Sequence, residues 1–127
     1  MGRQRLNDEN LLRILTNTRL AQFGDSLLNF AYSTALTETT GQPRGVKVPD
    51  KILADAAARA GLRKLLPRRV GRGDVANSLE ALVGHVWLRK MMTLEEIVDR
   101  LKKENLDPSQ NFSILADAAL SKLRRQS

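Results

Sequence analysis

The chain has 127 residues, no cysteine, and 21 Lys and Arg against 14 Asp and Glu, giving a net charge of +7. That length suits one domain with a single core, and the lack of thiols excludes a disulfide framework and any cysteine-ligated metal centre. No apolar run approaches the roughly 18 residues of a membrane span, and "MGRQRLNDEN" has no signal-peptide apolar stretch, so a reducing, cytoplasmic setting is expected.

Apolar residues recur at threes and fours while β-branched and aromatic residues stay sparse and scattered, which predicts an all-α fold. Asn7 or Asp8 is placed to cap a short helix through "ENLLRIL", with Leu11, Leu12 and Leu15 on one face. A longer helix is predicted from Thr18 to about Thr37, its core face read as Leu20, Phe23, Leu27, Phe30, Ala31 and Ala35. "TETTGQPRGVKVP" should break it, and Pro49 or Asp50 should start "DKILADAAARA", which Gly61 ends. A short turn, "LRKLL", stops at Pro67.

After "PRRVGRG", Asp74 is expected to cap "VANSLEALVGHVWLRKMM", whose apolar face is Val75, Leu79, Leu82, Val83 and Val86. Thr93 and Glu96 form a capping box for "LEEIVDRLKKE", expected to end near Asn105. Ser113 or the "DPSQ" turn should open a last helix whose C-terminal cations suit the helix dipole. Residues 93–127 thus form the C-terminal helices of one domain spanning 1–127.

The charge is concentrated. Residues 41–72 hold nine cations, from Arg44 and Lys47 to Arg69 and Arg72, against only Asp50 and Asp55, so this quarter carries the whole net charge. A positive field confined in this way points to a polyanion, nucleic acid before membrane. Lys47, Lys51, Arg68, Arg69 and Arg72, in or beside loops that precede helices, are the candidate nucleic-acid-binding residues.

Two acids lie inside strongly apolar helices, Asp25 after Gly24 and Glu80 between Leu79 and Ala81. A carboxylate brought near a core must be paired, hydrogen-bonded or bound to a cation. Thr18 is two turns before Asp25 and Asn77 one turn before Glu80, so packing of the two helices would bring four oxygen-bearing side chains into one pocket. Such ligands suit magnesium or manganese; purely structural acids satisfied by arginine or backbone amides fit the spacing equally. His85 falls about 140° round the helix from Glu80 and is read as core or interface. Trp87 and Phe30 are read as packing residues, and Gly24 and Gly84 as points of close helix approach.

"TNTRLAQFGDSLLNF" resembles the signature segment of ribonuclease III nuclease domains, and "GDVANSLEALVGHVWL" is similar to that family's second acidic helix. The order, separation and intervening "DKILADAAARAGLRKLLP" also match, over about residues 10–92. The compact Mini-III type and archaeal ribonuclease III-like proteins, which lack a separate double-stranded RNA-binding domain, are the nearest comparison. The resemblance implies a dimeric helical fold that cleaves double-stranded RNA with Mg2+, or with Mn2+ in its place, held by four acids. Two of those acids fall on Asp25 and Glu80; the other two fall on Thr18 and Asn77, as neutral or water-mediated ligands, and a further signature glutamate falls on Ala21. A homodimeric endoribonuclease and a non-catalytic RNA-binding protein with the same fold both remain open.

Overall fold

The computed structural model describes residues 7–103 and 106–126 and contains six α-helices: α1 (Asp8–Leu15), α2 (Thr18–Thr40), α3 (Asp50–Arg59), α4 (Arg72–Leu88), α5 (Leu94–Leu101) and α6 (Pro108–Gln126). A 3-10 turn, Arg63–Leu65, links α3 to α4, and no strand occurs among the described residues. No described helix is long and apolar enough to cross a membrane.

Helix starts follow local chemistry. The Asn7 side chain accepts from the Asn10 amide at 2.8 Å, and Asn17 accepts from Leu20 at 3.0 Å, each satisfying an otherwise free N–H of a first turn. Thr93 and Glu96 close the expected capping box at 3.1 Å in both directions. Asp107 and Gln110 do the same for α6, so "DPSQ" rather than Ser113 opens that helix. The expected end of α5 near Asn105 lies outside the described residues; its last helical residue is Leu101.

Three boundaries differ from expectation. α2 runs three residues beyond Thr37 to Thr40, because the left-handed Gly41 (φ 74°) is the residue able to end it. α4 begins at Arg72, and Asp74 therefore caps from inside the helix, its carboxylate accepting the Gly71 N–H at 3.2 Å. That helix stops at Leu88, short of the two methionines.

α4 is the central element, packed against α1, α2, α3 and α6, while α5 and α6 close the far side. Its buried residues include Val75, Leu79, Leu82, Val83 and Val86, but also Ser78 and Glu80, so almost every face is covered. A helix enclosed in this way needs close neighbours, and glycine supplies them. A Cβ at Gly24 would collide with the Glu80 carbonyl, and one at Gly84 would lie 3.1 Å from the Leu20 carbonyl oxygen. The paired notches let α2 and α4 cross backbone to backbone, which justifies the cost of about 1 kcal/mol for each helical glycine.

The core face of α2 keeps Leu27, Ala31 and Ala35 from the face read by spacing but leaves out its two phenylalanines. Ala21, Gly24, Leu27, Leu28, Ala31 and Ala35 are buried, whereas Phe30 is 60% exposed and Phe23 37%. Only small residues fit where α2 meets α4, so the large aromatics turn outward. Phe23 rests on half-buried Trp87 with ring centroids 5.6 Å apart, but Phe30 is not a core packing residue.

Candidate active site

The glycine crossing decides where the acids point. Because α2 and α4 touch at Gly24 and Glu80, the next residue on α2, Asp25, stands beside the Glu80 side chain. Both line an open cavity of about 310 Å³ that also receives Thr18, Gln22, Lys47, Asp50 and Asn77. The four side chains predicted to converge, Thr18, Asp25, Asn77 and Glu80, therefore do so.

Their environments differ. Glu80 is only 3% exposed, and its carboxyl is pushed up to about 8 by burial first, then by hydrogen bonding to Asp25 and the negative charges of Asp25 and Asp50. Asp25 is half-exposed and pairs with the Lys47 ammonium at 3.8 Å, a distance and exposure that give little net attraction. With its amide oriented to satisfy its neighbours, Asn77 donates to Glu80 Oε1 at 3.2 Å and to the Gly73 carbonyl at 3.3 Å. Asn77 is thus a hydrogen-bond partner of Glu80. Thr18, exposed at the start of α2, lines the cavity without a side-chain bond to either acid among the described residues.

Lys47 and Asp50 reach the cavity because the extended segment before α3 is stitched along α2. The side-chain Oδ1 of Asn29 accepts the Val48 N–H at 2.8 Å, Ser33 Oγ accepts the Val46 N–H at 2.9 Å, and Thr37 Oγ1 accepts the Arg44 N–H at 2.9 Å. Helix positions four apart rise about 6 Å, nearly the reach of two extended residues, so every second residue of the segment meets one turn of the helix. Asn29 also donates to Asp25 Oδ1 at 3.4 Å, tying the segment and the acid to one side chain. Sequence reasoning missed Asp50 as a cavity residue, assigning it only to the start of α3; the Asn-Ser-Thr spacing on α2 was the available signal.

Among the described residues no three His, Asp or Glu side chains approach closely enough to form a metal-ligand cluster. The donors do fit a cation that keeps most of its water. Asp25 and Glu80 set two carboxyl groups side by side, with Asp50 in the same cavity, so a cation entering there would favour loss of the Glu80 proton, and magnesium characteristically takes one or two carboxylates plus water and phosphate. Asp25 and Glu80 are the residues that would hold it.

The remaining predicted residues scatter. Lys51 and Arg72 are exposed and share a separate hollow, while Arg68 and Arg69 are exposed on the loop before α4. His85 is half-buried and away from the acids, with its imidazole held below the usual range by burial and then by Arg89.

A comparison with curated proteins returns no match. The family model for ribonuclease III matches residues 18–123, extending past the 10–92 of the recognised motifs through the C-terminal helices and starting after α1. With a match across most of its length and an all-helical structure to go with it, the chain belongs to the ribonuclease III family.

Proposed function

We propose that this chain is a metal-dependent endoribonuclease that hydrolyses phosphodiester bonds in double-stranded or structured RNA, acting as a homodimer. The observation that carries the proposal is the buried Glu80 carboxyl held against Asp25 at the floor of an open cavity. Burying a carboxyl against a second, half-exposed acid costs stability once it ionises and serves no packing purpose, so an occupant of opposite charge is its natural reason.

Asp25 and Glu80 hold the cation, and Asn77 holds Glu80 in place. Magnesium or manganese supplies positive charge to the scissile phosphate and makes water a better nucleophile. Lys47, exposed at the rim, adds a cation where the phosphate arrives. The exposed cations of the 44–72 segment attract a duplex read by shape and charge. Phe23, Phe30 and Leu88, large apolar side chains left in solvent, form the face on which a second copy packs.

The test is cleavage of a long RNA duplex by wild type and Asp25→Asn with Mg2+, Mn2+ or EDTA. Fragments from wild type only, and only with metal, are expected; equal cleavage by both proteins would remove Asp25 from the chemistry. Thr18 and Asn77, neutral where the family has acids, favour a second reading as a non-catalytic RNA-binding protein. Duplex binding without fragments under any metal would establish that reading. Light scattering checks the dimer, with Phe30→Asp expected to yield monomers.

A further inference from the structure

On the flank of the chain, α3, the 3-10 turn and the start of α4 enclose a hollow of about 690 Å³, closed on one side by Ser109 of α6. Three cations line it: Lys51, Arg63 and Arg72. All three are exposed, and among the described residues none makes an ion pair or a side-chain hydrogen bond. The one acid on the wall, Asp55, is already held by Arg59 at 2.9 Å. Apolar Val70 and Val75 line the same hollow, so the positive potential faces a low-dielectric surface that focuses it.

We infer that this hollow is a phosphate site, taking a backbone phosphate of the same RNA whose scissile bond lies at Asp25 and Glu80. Arginine forks match phosphate oxygens in a way that lysine alone does not, and two of the three cations are arginines. The hollow and the acidic cavity are also neighbours of one intervening cleft, with which each shares wall residues. Val70 borders a narrower cleft of about 190 Å³ that reaches Thr18 and Asn77, which in turn line the cavity of the two acids. An RNA strand leaving the acids along that cleft meets the three cations next. Arg63 is the new residue here, placed by the turn between α3 and α4. The inference rests on the RNA-directed reading above for the source of the phosphate, while the site itself stands on its own chemistry.

Two measurements on the full chain separate these points. In the first, inorganic pyrophosphate is titrated into wild type and Arg63→Gln while arginine side-chain NMR resonances are followed. Saturable shifts at Arg63 and Arg72 in wild type are expected, with the Arg72 shift weakened in Arg63→Gln; absence of such shifts in wild type overturns the site. In the second, duplex RNA binding to the non-cleaving Asp25→Asn chain is measured across a salt series, alone and combined with Arg63→Gln and Arg72→Gln. Each substitution should lower affinity several-fold and reduce the log–log salt slope by about one, because one phosphate contact is lost. The pair Arg124→Gln and Arg125→Gln, on the far end of α6, should leave affinity within about twofold of the parent. Pyrophosphate binding with unchanged RNA affinity would assign the site to free phosphate compounds and overturn the strand contact. Pyrophosphate binding by a chain that binds no RNA would sink the RNA reading and leave the phosphate site intact. Circular dichroism of the exposed-residue variants checks that the fold is retained.

Discussion

Replacing Glu80 by glutamine should stabilise the metal-free protein, by an amount that grows with pH. The folded-state carboxyl is raised from 4.5 to about 8, so between these values the folded chain keeps a proton that the unfolded chain has lost. Stability must then fall as pH rises, with a slope of up to 1.36 kcal/mol per pH unit. Below pH 4.5 both states are protonated and the penalty is absent; above about 8 both are ionised and it is complete, at up to about 5 kcal/mol. Glutamine is neutral throughout and keeps a donor toward Asp25. Urea unfolding of wild type and Glu80→Gln in EDTA, at one protein concentration from pH 5 to 8.5, isolates the difference. The two proteins should converge near pH 5 and separate by several kcal/mol at pH 8.5, with Glu80→Gln the more stable. Saturating Mg2+ should narrow that gap at high pH by offsetting the ionised pair in wild type. A gap that stays constant with pH, or a wild type that gains stability on Glu80 relative to glutamine as pH rises, would refute the reasoning.

Gly24→Ala should destabilise the fold by at least about 2 kcal/mol, measured by thermal unfolding, because the new methyl meets the Glu80 backbone carbonyl and neither helix can yield alone. An unchanged melting temperature would contradict the close crossing of α2 and α4. Asn29→Ala removes the acceptor of the Val48 N–H and a donor to Asp25, at a cost of about 1–3 kcal/mol, and should lower the cleavage rate more than Ser33→Ala does. Equal rates for the two variants would show that the stitching matters for the fold alone. Asn77→Asp places a third carboxylate beside Glu80, and the Mg2+ concentration for half-maximal cleavage should fall at neutral pH; a rise would argue against a cation between these residues.

Much of the secondary structure was legible because its causes are local. Asn7, Thr93 with Glu96, and Gly61 act on backbone groups within a turn of themselves, and a helix cap needs no knowledge of the remaining chain. The nuclease motifs were equally plain: an acid after a glycine in one apolar helix, and an acid within another. Even the convergence of Thr18, Asp25, Asn77 and Glu80 followed from helical period once the two helices were assumed to pack.

Other features depend on which helix faces meet. α2 carries apolar residues on several sides, so its spacing let Leu27, Ala31 and Ala35 be joined either by Phe23 and Phe30 or by Ala21, Gly24 and Leu28 as the core face. The backbone contact at Gly24 selects the small residues and leaves Phe30 in solvent. The stitching of residues 44, 46 and 48 onto α2, which brings Lys47 and Asp50 to the acids, is a meeting of residues far apart in the chain. So is the gathering of Lys51, Arg63 and Arg72 from three elements into one hollow. Sequence by itself determined the helices, most of their N-terminal caps and the identity of the acids, because those rest on interactions within a few residues. Tertiary structure decided which faces are buried, how strongly Glu80 is perturbed and which charges share a cavity, because burial and Coulomb energy depend on distance in space.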